Sequence, residues 1–160
     1  MKNRTLSIVI FVLTFLNIIN YLIIKKKNDY IHTIIEQNNK INDYYYLLNH
    51  WLELKNTKKN SAVYFEEMGY RRVAIYGMAE IANRLIEDLE KSNIEIVYGI
   101  DRDISCSISK IGEVYSLEDD LPEADVIVVT PCYAFQSIYK ELKTKVSFPI
   151  ISIEDVIWSV

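Results

Sequence analysis

The apolar positions of this chain follow three different spacings. Leu6 to Ile24, LSIVIFVLTFLNIINYLII, is a 19-residue run without a charge. As a helix rising about 1.5 Å per residue it would span roughly 28 Å, close to the hydrocarbon thickness of a bilayer. Residues 29–55 contain neither Gly nor Pro and are patterned as a helix. A heptad register places Ile31, Asn38, Tyr45 and Leu52 at one core position and Ile34, Ile41, Leu48 and Lys55 at the other. Extended backwards, it takes in Asn17, Asn20 and Ile24. Beyond residue 60 short apolar runs alternate with helical patterns, the signature of βα units. Val73 to Tyr76 predicts a buried strand, and Ile81, Leu85, Ile86 and Leu89 predict a helix. Ile94, Ile96 and Tyr98 alternate as a second strand. Further strands are predicted at Glu113–Tyr115, Asp125–Thr130 and Pro149–Ser152. A helix from Thr130-Pro131 to about Lys145 and a closing helical turn at Ile153–Trp158 complete the pattern. Ser61 is placed to cap a short helix, Ala62–Met68, that Gly69 ends.

These elements predict an α/β fold, a small doubly wound parallel sheet of about five strands in the order 3-2-1-4-5, Rossmann-like in type. Three segments precede or make it up: residues 1–27 as a transmembrane anchor with basic flanks, 28–60 as a helical linker, and 61–160 as the Rossmann-like domain. Lys2 and Arg4 stand before the apolar run and Lys25-Lys26-Lys27 after it. The heavier C-terminal flank predicts a single-pass protein of the cell membrane with its C-terminal domain cytoplasmic. The linker stripe fits two readings. In one, two chains pair in parallel, Asn38 acting as the buried polar residue that fixes a two-stranded state. In the other, the stripe packs on the protein's own domain, a reading that Tyr44-Tyr45-Tyr46 and Trp51 favour by broadening the apolar face.

Charge divides along the chain. Residues 1–60 hold nine Lys/Arg against four Asp/Glu, and residues 61–160 hold nine against eighteen. An acidic globular part lacks the basic footprint that nucleic acid requires, which excludes that partner class. The basic half suits the bilayer surface expected of an anchor. Two cysteines, Cys106 and Cys132, give no disulfide framework and no metal-site spacing, and no metal is expected.

Candidate chemistry centres on the turn after the first strand. Gly77-Met78-Ala79-Glu80-Ile81-Ala82 is a degenerate G-x-G-x-x-G, and Asp101 lies 24 residues after Gly77, where such folds place the acid that binds a ribose hydroxyl. Ala79 crowds the approach of a pyrophosphate, and the Glu80 carboxylate competes with phosphate for the positive end of the helix. Arg102 could accommodate a 2′-phosphate. Thr130, at the end of the strand on the other side of the switch point, completes the expected crevice. The candidate binding residues are therefore Gly77, Met78, Ala79, Glu80, Ile81, Asp101, Arg102 and Thr130, with NAD(P) or a nucleotide sugar as the ligand class.

No catalytic set accompanies them. Cys132 at a helix start has no histidine beside it in the pattern, because His32 and His50 both lie in the N-terminal helix. Tyr139 and Lys143 have the Tyr-x-x-x-Lys spacing of short-chain dehydrogenases, but Tyr21 and Lys25 repeat it by chance in a chain of 12 tyrosines.

Ile75-Tyr76-Gly77-Met78-Ala79-Glu80, followed by Gly99-Ile100-Asp101-Arg102, resembles the small Rossmann-like domains of bacterial surface-polysaccharide biosynthesis proteins. It is similar to the module ahead of the catalytic domain in membrane-bound nucleotide-sugar dehydratases and epimerases, with its I-Y-G-A-G-E and I-D-D. The resemblance covers about residues 70–155 and has Ala79 in place of a glycine. It implies nucleotide or nucleotide-sugar binding through Gly77, Ala79, Glu80 and Asp101. The catalytic domain of those enzymes is absent. The expectation is a membrane-anchored accessory or regulatory module without catalysis of its own, beside a polysaccharide-biosynthesis enzyme and possible as a homodimer through its N-terminal helix. The alternatives are a minimal NAD(P)-dependent oxidoreductase or epimerase, and a scaffold that binds no small molecule.

Overall fold

The computed structural model describes residues 2–103 and 111–160, with side chains from Phe11 onward except Val12. Cys106 and the irregular segment expected through Ser109 fall outside the described residues, as do the side chains of Lys2, Arg4 and Leu6 to Ile10. The chain forms two compact units, Met1–Tyr44 and Tyr45–Val160.

From Lys2 onward the first unit is helical, as part of α1 (Lys2–Asn56). Here the expected transmembrane anchor is corrected. Among the described residues no helix is long and apolar enough to cross a membrane. Thr14, Asn17 and Asn20 place polar side chains within the apolar run of α1. The single-pass membrane location inferred from the run falls with it.

The second unit is the α/β body. After the last turns of α1 come α2 (Ala62–Met68), β1 (Arg72–Tyr76), α3 (Glu80–Leu89), β2 (Glu95–Ile100), β3 (Val114–Tyr115), β4 (Val126–Val129), α4 (Phe135–Leu142), β5 (Ile150–Ser152) and α5 (Ile153–Trp158). The five strands are parallel in the order β3-β2-β1-β4-β5. β1 lies at the centre, with Ile75 paired to Gly99 of β2 and to Val128 of β4. Its buried Val-Ala-Ile-Tyr run and the Val-Ile-Val-Val of β4 read as continuous apolar stretches because helices cover both faces of the sheet.

Side chains alternate between those faces. Ala74, Tyr76, Tyr98, Ile100, Ile127 and Val129 form one cluster with Ile138 and Leu142 of α4. Val73, Ile75, Val126 and Val128 point the other way and are fully buried. The right-handed crossover rule sends α3 to that second face. Tyr98 is inside the first cluster, and its hydroxyl donates to the Pro122 carbonyl at 2.6 Å. Burial pushes its phenol up to about 12.

The last turns of α1 belong to this body. Leu47, Trp51 and Leu54 are buried, whereas the heptad residues Tyr45, Leu48 and Leu52 on the opposite side of the helix are exposed. The Asp88 carboxylate of α3, 4% exposed, ties the segments together. Its Oδ2 accepts from Trp51 Nε1 (3.2 Å), Ser61 N (2.8 Å) and Ser61 Oγ (2.7 Å), and its Oδ1 faces Lys55 Nζ at 3.2 Å. Ser61 therefore spends its hydroxyl on Asp88 rather than on capping α2, and Asn60 Oδ1 accepts from the Ala62 amide instead. His50 stacks on Trp158 of α5, with ring centroids 4.2 Å apart.

Candidate functional site

The C-terminal ends of β1, β2 and β4 converge where the sheet order reverses, the place where open α/β sheets bind ligands. At the end of β1 the chain leaves the sheet through Gly77, whose φ of 89° suits a residue without a Cβ. The Gly77 amide still donates to Ile100 O of β2 at 2.8 Å, so the turn begins as the ladder ends. A Cβ at Gly77 would lie 2.7 Å from Pro131 Cδ and 2.8 Å from Thr130 Oγ1. Glycine is required twice here, by backbone conformation and by the closeness of the chain leaving β4.

Met78 turns its side chain inward. It is buried against Gly99 of β2, where an added Cβ would meet its Sδ at 2.6 Å. Its amide donates to Asp101 Oδ2 at 2.7 Å, and Asp101 Oδ1 accepts from the Asp103 amide at 3.0 Å. Asp101 thus joins the end of β2 to the glycine turn. Each carboxylate oxygen keeps further lone pairs, so the group can still accept from a ligand hydroxyl.

Ala79 stands at the N-cap of α3 in extended conformation, with no side-chain cap. Its methyl cannot accept a hydrogen bond, and the first-turn amides of Glu80, Ile81 and Ala82 have no acceptor within the helix. Glu80 and Ala79 are exposed, Ile81 is half-buried and Ala82 is buried. A ten-residue helix therefore opens onto the switch point with no side-chain cap among the described residues and one carboxylate at its positive end.

Thr130 is buried and has a different role from the expected helix cap. Its hydroxyl lies 2.7 Å from Gly77 O and 3.2 Å from Tyr76 O, pinning the turn from the β4 side. The chain after it forms a single tight turn, Cys132–Ala134, before α4 begins at Phe135 and ends at Leu142.

Arg102 reaches across the edge to α4. Its Nη2 lies 2.9 and 2.8 Å from the two carboxylate oxygens of Glu141, which holds the guanidinium pKa above its ordinary value. The Tyr76 phenol below is raised by burial, with Arg102 opposing the shift through charge and a hydrogen bond. Arg102 is thus already paired, through Nη2, with Glu141. Both partners are exposed, so the pair itself contributes little to stability.

Gly77 to Ile81, Asp101 and Thr130 come together at one edge, with Arg102 bridging it. Pro131 and Glu141, which shape the same edge, were not among the sequence candidates. Pro131 directly follows a buried strand and could have been found that way; Glu141 is 39 residues from its partner and carries no local signal. Cys132 is buried, and Tyr139 packs beside Phe135 against the α4 face of the sheet while Lys143 is exposed. Two cavities lie elsewhere, one of about 330 Å³ lined by Ile86, Leu89, Ile94 and Ile96 and one of about 410 Å³ at the opposite sheet edge near Arg72 and Asp125.

The fold and this edge define a parallel α/β sheet domain compatible with the Rossmann-like type. The chain matches no family model, no curated protein and no solved structure.

Proposed function

We propose that the α/β body is a nucleotide-binding accessory module without catalysis of its own, its ligand a nucleotide or nucleotide sugar of the kind used in surface-polysaccharide synthesis, working beside a partner enzyme. The observation that carries this reading is the uncapped start of α3 directly after Gly77, with Asp101 beside it at the end of β2. A phosphate at that point would satisfy the open first-turn amides, and a ribose hydroxyl would add a donor to Asp101. Glu80 weakens the phosphate interaction by placing a negative charge at the same helix end.

A second reading, a scaffold that binds no small molecule, is favoured by the close approach of Pro131 to Gly77 and by Asp101 already holding two amides. Calorimetry on the full chain with NAD⁺, NADP⁺, UDP-glucose and CDP-glucose separates the two. The binding reading expects saturable heat for at least one probe, about 10-fold weaker in Asp101→Asn, which keeps an acceptor for Met78 but loses the charge. It also expects tighter binding in Glu80→Gln. No heat with any probe, in wild type and in Glu80→Gln alike, would establish the scaffold.

A further inference from the structure

The helix α1 carries apolar side chains on two opposite sides, and the described residues cover one of them. At 100° per residue, Leu47, Trp51 and Leu54 share the side that the α/β body buries. Ile31, Ile34, Ile41, Tyr45, Leu48 and Leu52 share the other side, and all are exposed. That exposed stripe keeps a heptad spacing over three repeats, which a surface packed against a globular body does not require.

Five features indicate what covers it. The charges of this stretch, Asp29, Glu36, Lys40 and Asp43, all lie on the side away from the stripe, so two copies could approach along it without desolvating a charge. The flanking positions, Ile35, Asn42 and Asn49 on one side and Tyr30, Gln37, Tyr44 and Trp51 on the other, are all uncharged and impose no repulsion, and of these Trp51 is buried in the body. Asn38 sits alone at a core position, where an identical Asn of a parallel partner can pair with it and a hydrophobic groove of another protein would leave it unsatisfied. Lys55, which would otherwise end the stripe with a core charge, is drawn to Asp88. Within the second unit the body occupies the opposite side of the helix and leaves the stripe clear.

We infer that the exposed stripe from Ile31 to Leu52 is a parallel, two-stranded pairing surface for a second copy of this chain, registered by Asn38.

Single cysteines introduced into the full chain test this by interchain disulfide formation, with the unsubstituted protein as the blank for Cys106 and Cys132. Ile34→Cys should crosslink to a dimer, and Glu36→Cys, on the charged side, should not. Sedimentation equilibrium of the full chain should give twice the 18.7 kDa chain mass. Ile34→Lys with Ile41→Lys should reduce it to the single mass while the thermal transition of the α/β body is kept. Asn38→Leu should shift the population to species larger than a dimer, because the register constraint is lost. Absence of a crosslink at position 34, equal crosslinking at 34 and 36, or a mass unmoved by the double lysine variant would each overturn the pairing.

Discussion

Asp88→Ala should be among the most damaging single changes in the α/β body. The carboxylate is almost fully covered, and one of its oxygens serves three donors. Two of these belong to Ser61, which has no solvent exposure and therefore no water to turn to. A buried donor left without an acceptor costs about 1–3 kcal/mol. With the Trp51 indole N–H also orphaned and a small cavity left at the site, the loss should reach about 3–5 kcal/mol, a large share of the roughly 5–15 kcal/mol typical of a domain. Asp88→Asn keeps an oxygen for Ser61 and should cost less, about 1–2 kcal/mol. Lys55→Met should cost under about 1 kcal/mol, since Lys55 is 42% exposed and its charge is solvated with or without the pair. The assay is urea denaturation followed through Trp51 in a Trp158→Phe background, which leaves one tryptophan in the chain. An Asp88→Ala midpoint within about 0.5 kcal/mol of its parent would show that the carboxylate does not hold α1, Ser61 and α3 together.

Three further outcomes follow from the geometry. Gly77→Ala should lose about 2–4 kcal/mol in thermal denaturation, from a positive φ and a Cβ against Pro131, and adding Pro131→Ala should recover part of it; an unchanged transition in Gly77→Ala would refute the close approach. Asp125 accepts the Arg71 and Arg72 amides at 2.7 and 2.8 Å, which lowers its pKa, so its contribution should be present above about pH 4 and fade as pH falls through the lowered value. Asp125→Asn should therefore cost about 1–2 kcal/mol at pH 7, allowing for solvent screening, and much less at pH 2; equal losses at both would remove the charge from the account. Tyr98→Phe should lose about 1–2 kcal/mol by orphaning Pro122 O, and the wild-type loss of stability between pH 10 and about 12, as the buried phenol ionises, should be smaller in the variant, as followed by circular dichroism.

Much of the sheet is legible in the sequence, because β1 and β4 are uninterrupted apolar runs and parallel strands buried on both faces need such runs. The bounds of α2 are legible for a local reason, a glycine able to adopt φ 75° immediately after Met68. The covered side of α1 is not. Apolar residues stand on both sides of its last turns, and spacing alone does not say which side meets the body. The apolar run near the N-terminus is misleading in another way: its count of uncharged residues suggests a span, yet among the described residues no helix is long and apolar enough to cross a membrane. At the crevice, the glycine turn and Asp101 are readable from spacing, as their shared hydrogen bond shows. Thr130 is readable as a residue of the edge but not in its role, because its partners are backbone carbonyls 53 and 54 residues away.

The seam between the two compact units falls inside a helix, at Tyr44, rather than at a loop. Continuity of hydrogen bonding is therefore not continuity of protection. Backbone amides from Leu47 to Leu54 exchange with solvent only when the α/β body opens, whereas those from Asp29 to Asp43 in a lone chain open by fraying of a solvated helix. Amide exchange along α1 should step from slow to fast across a few residues of unbroken helix, and pairing with a second chain would move that step toward the N-terminus.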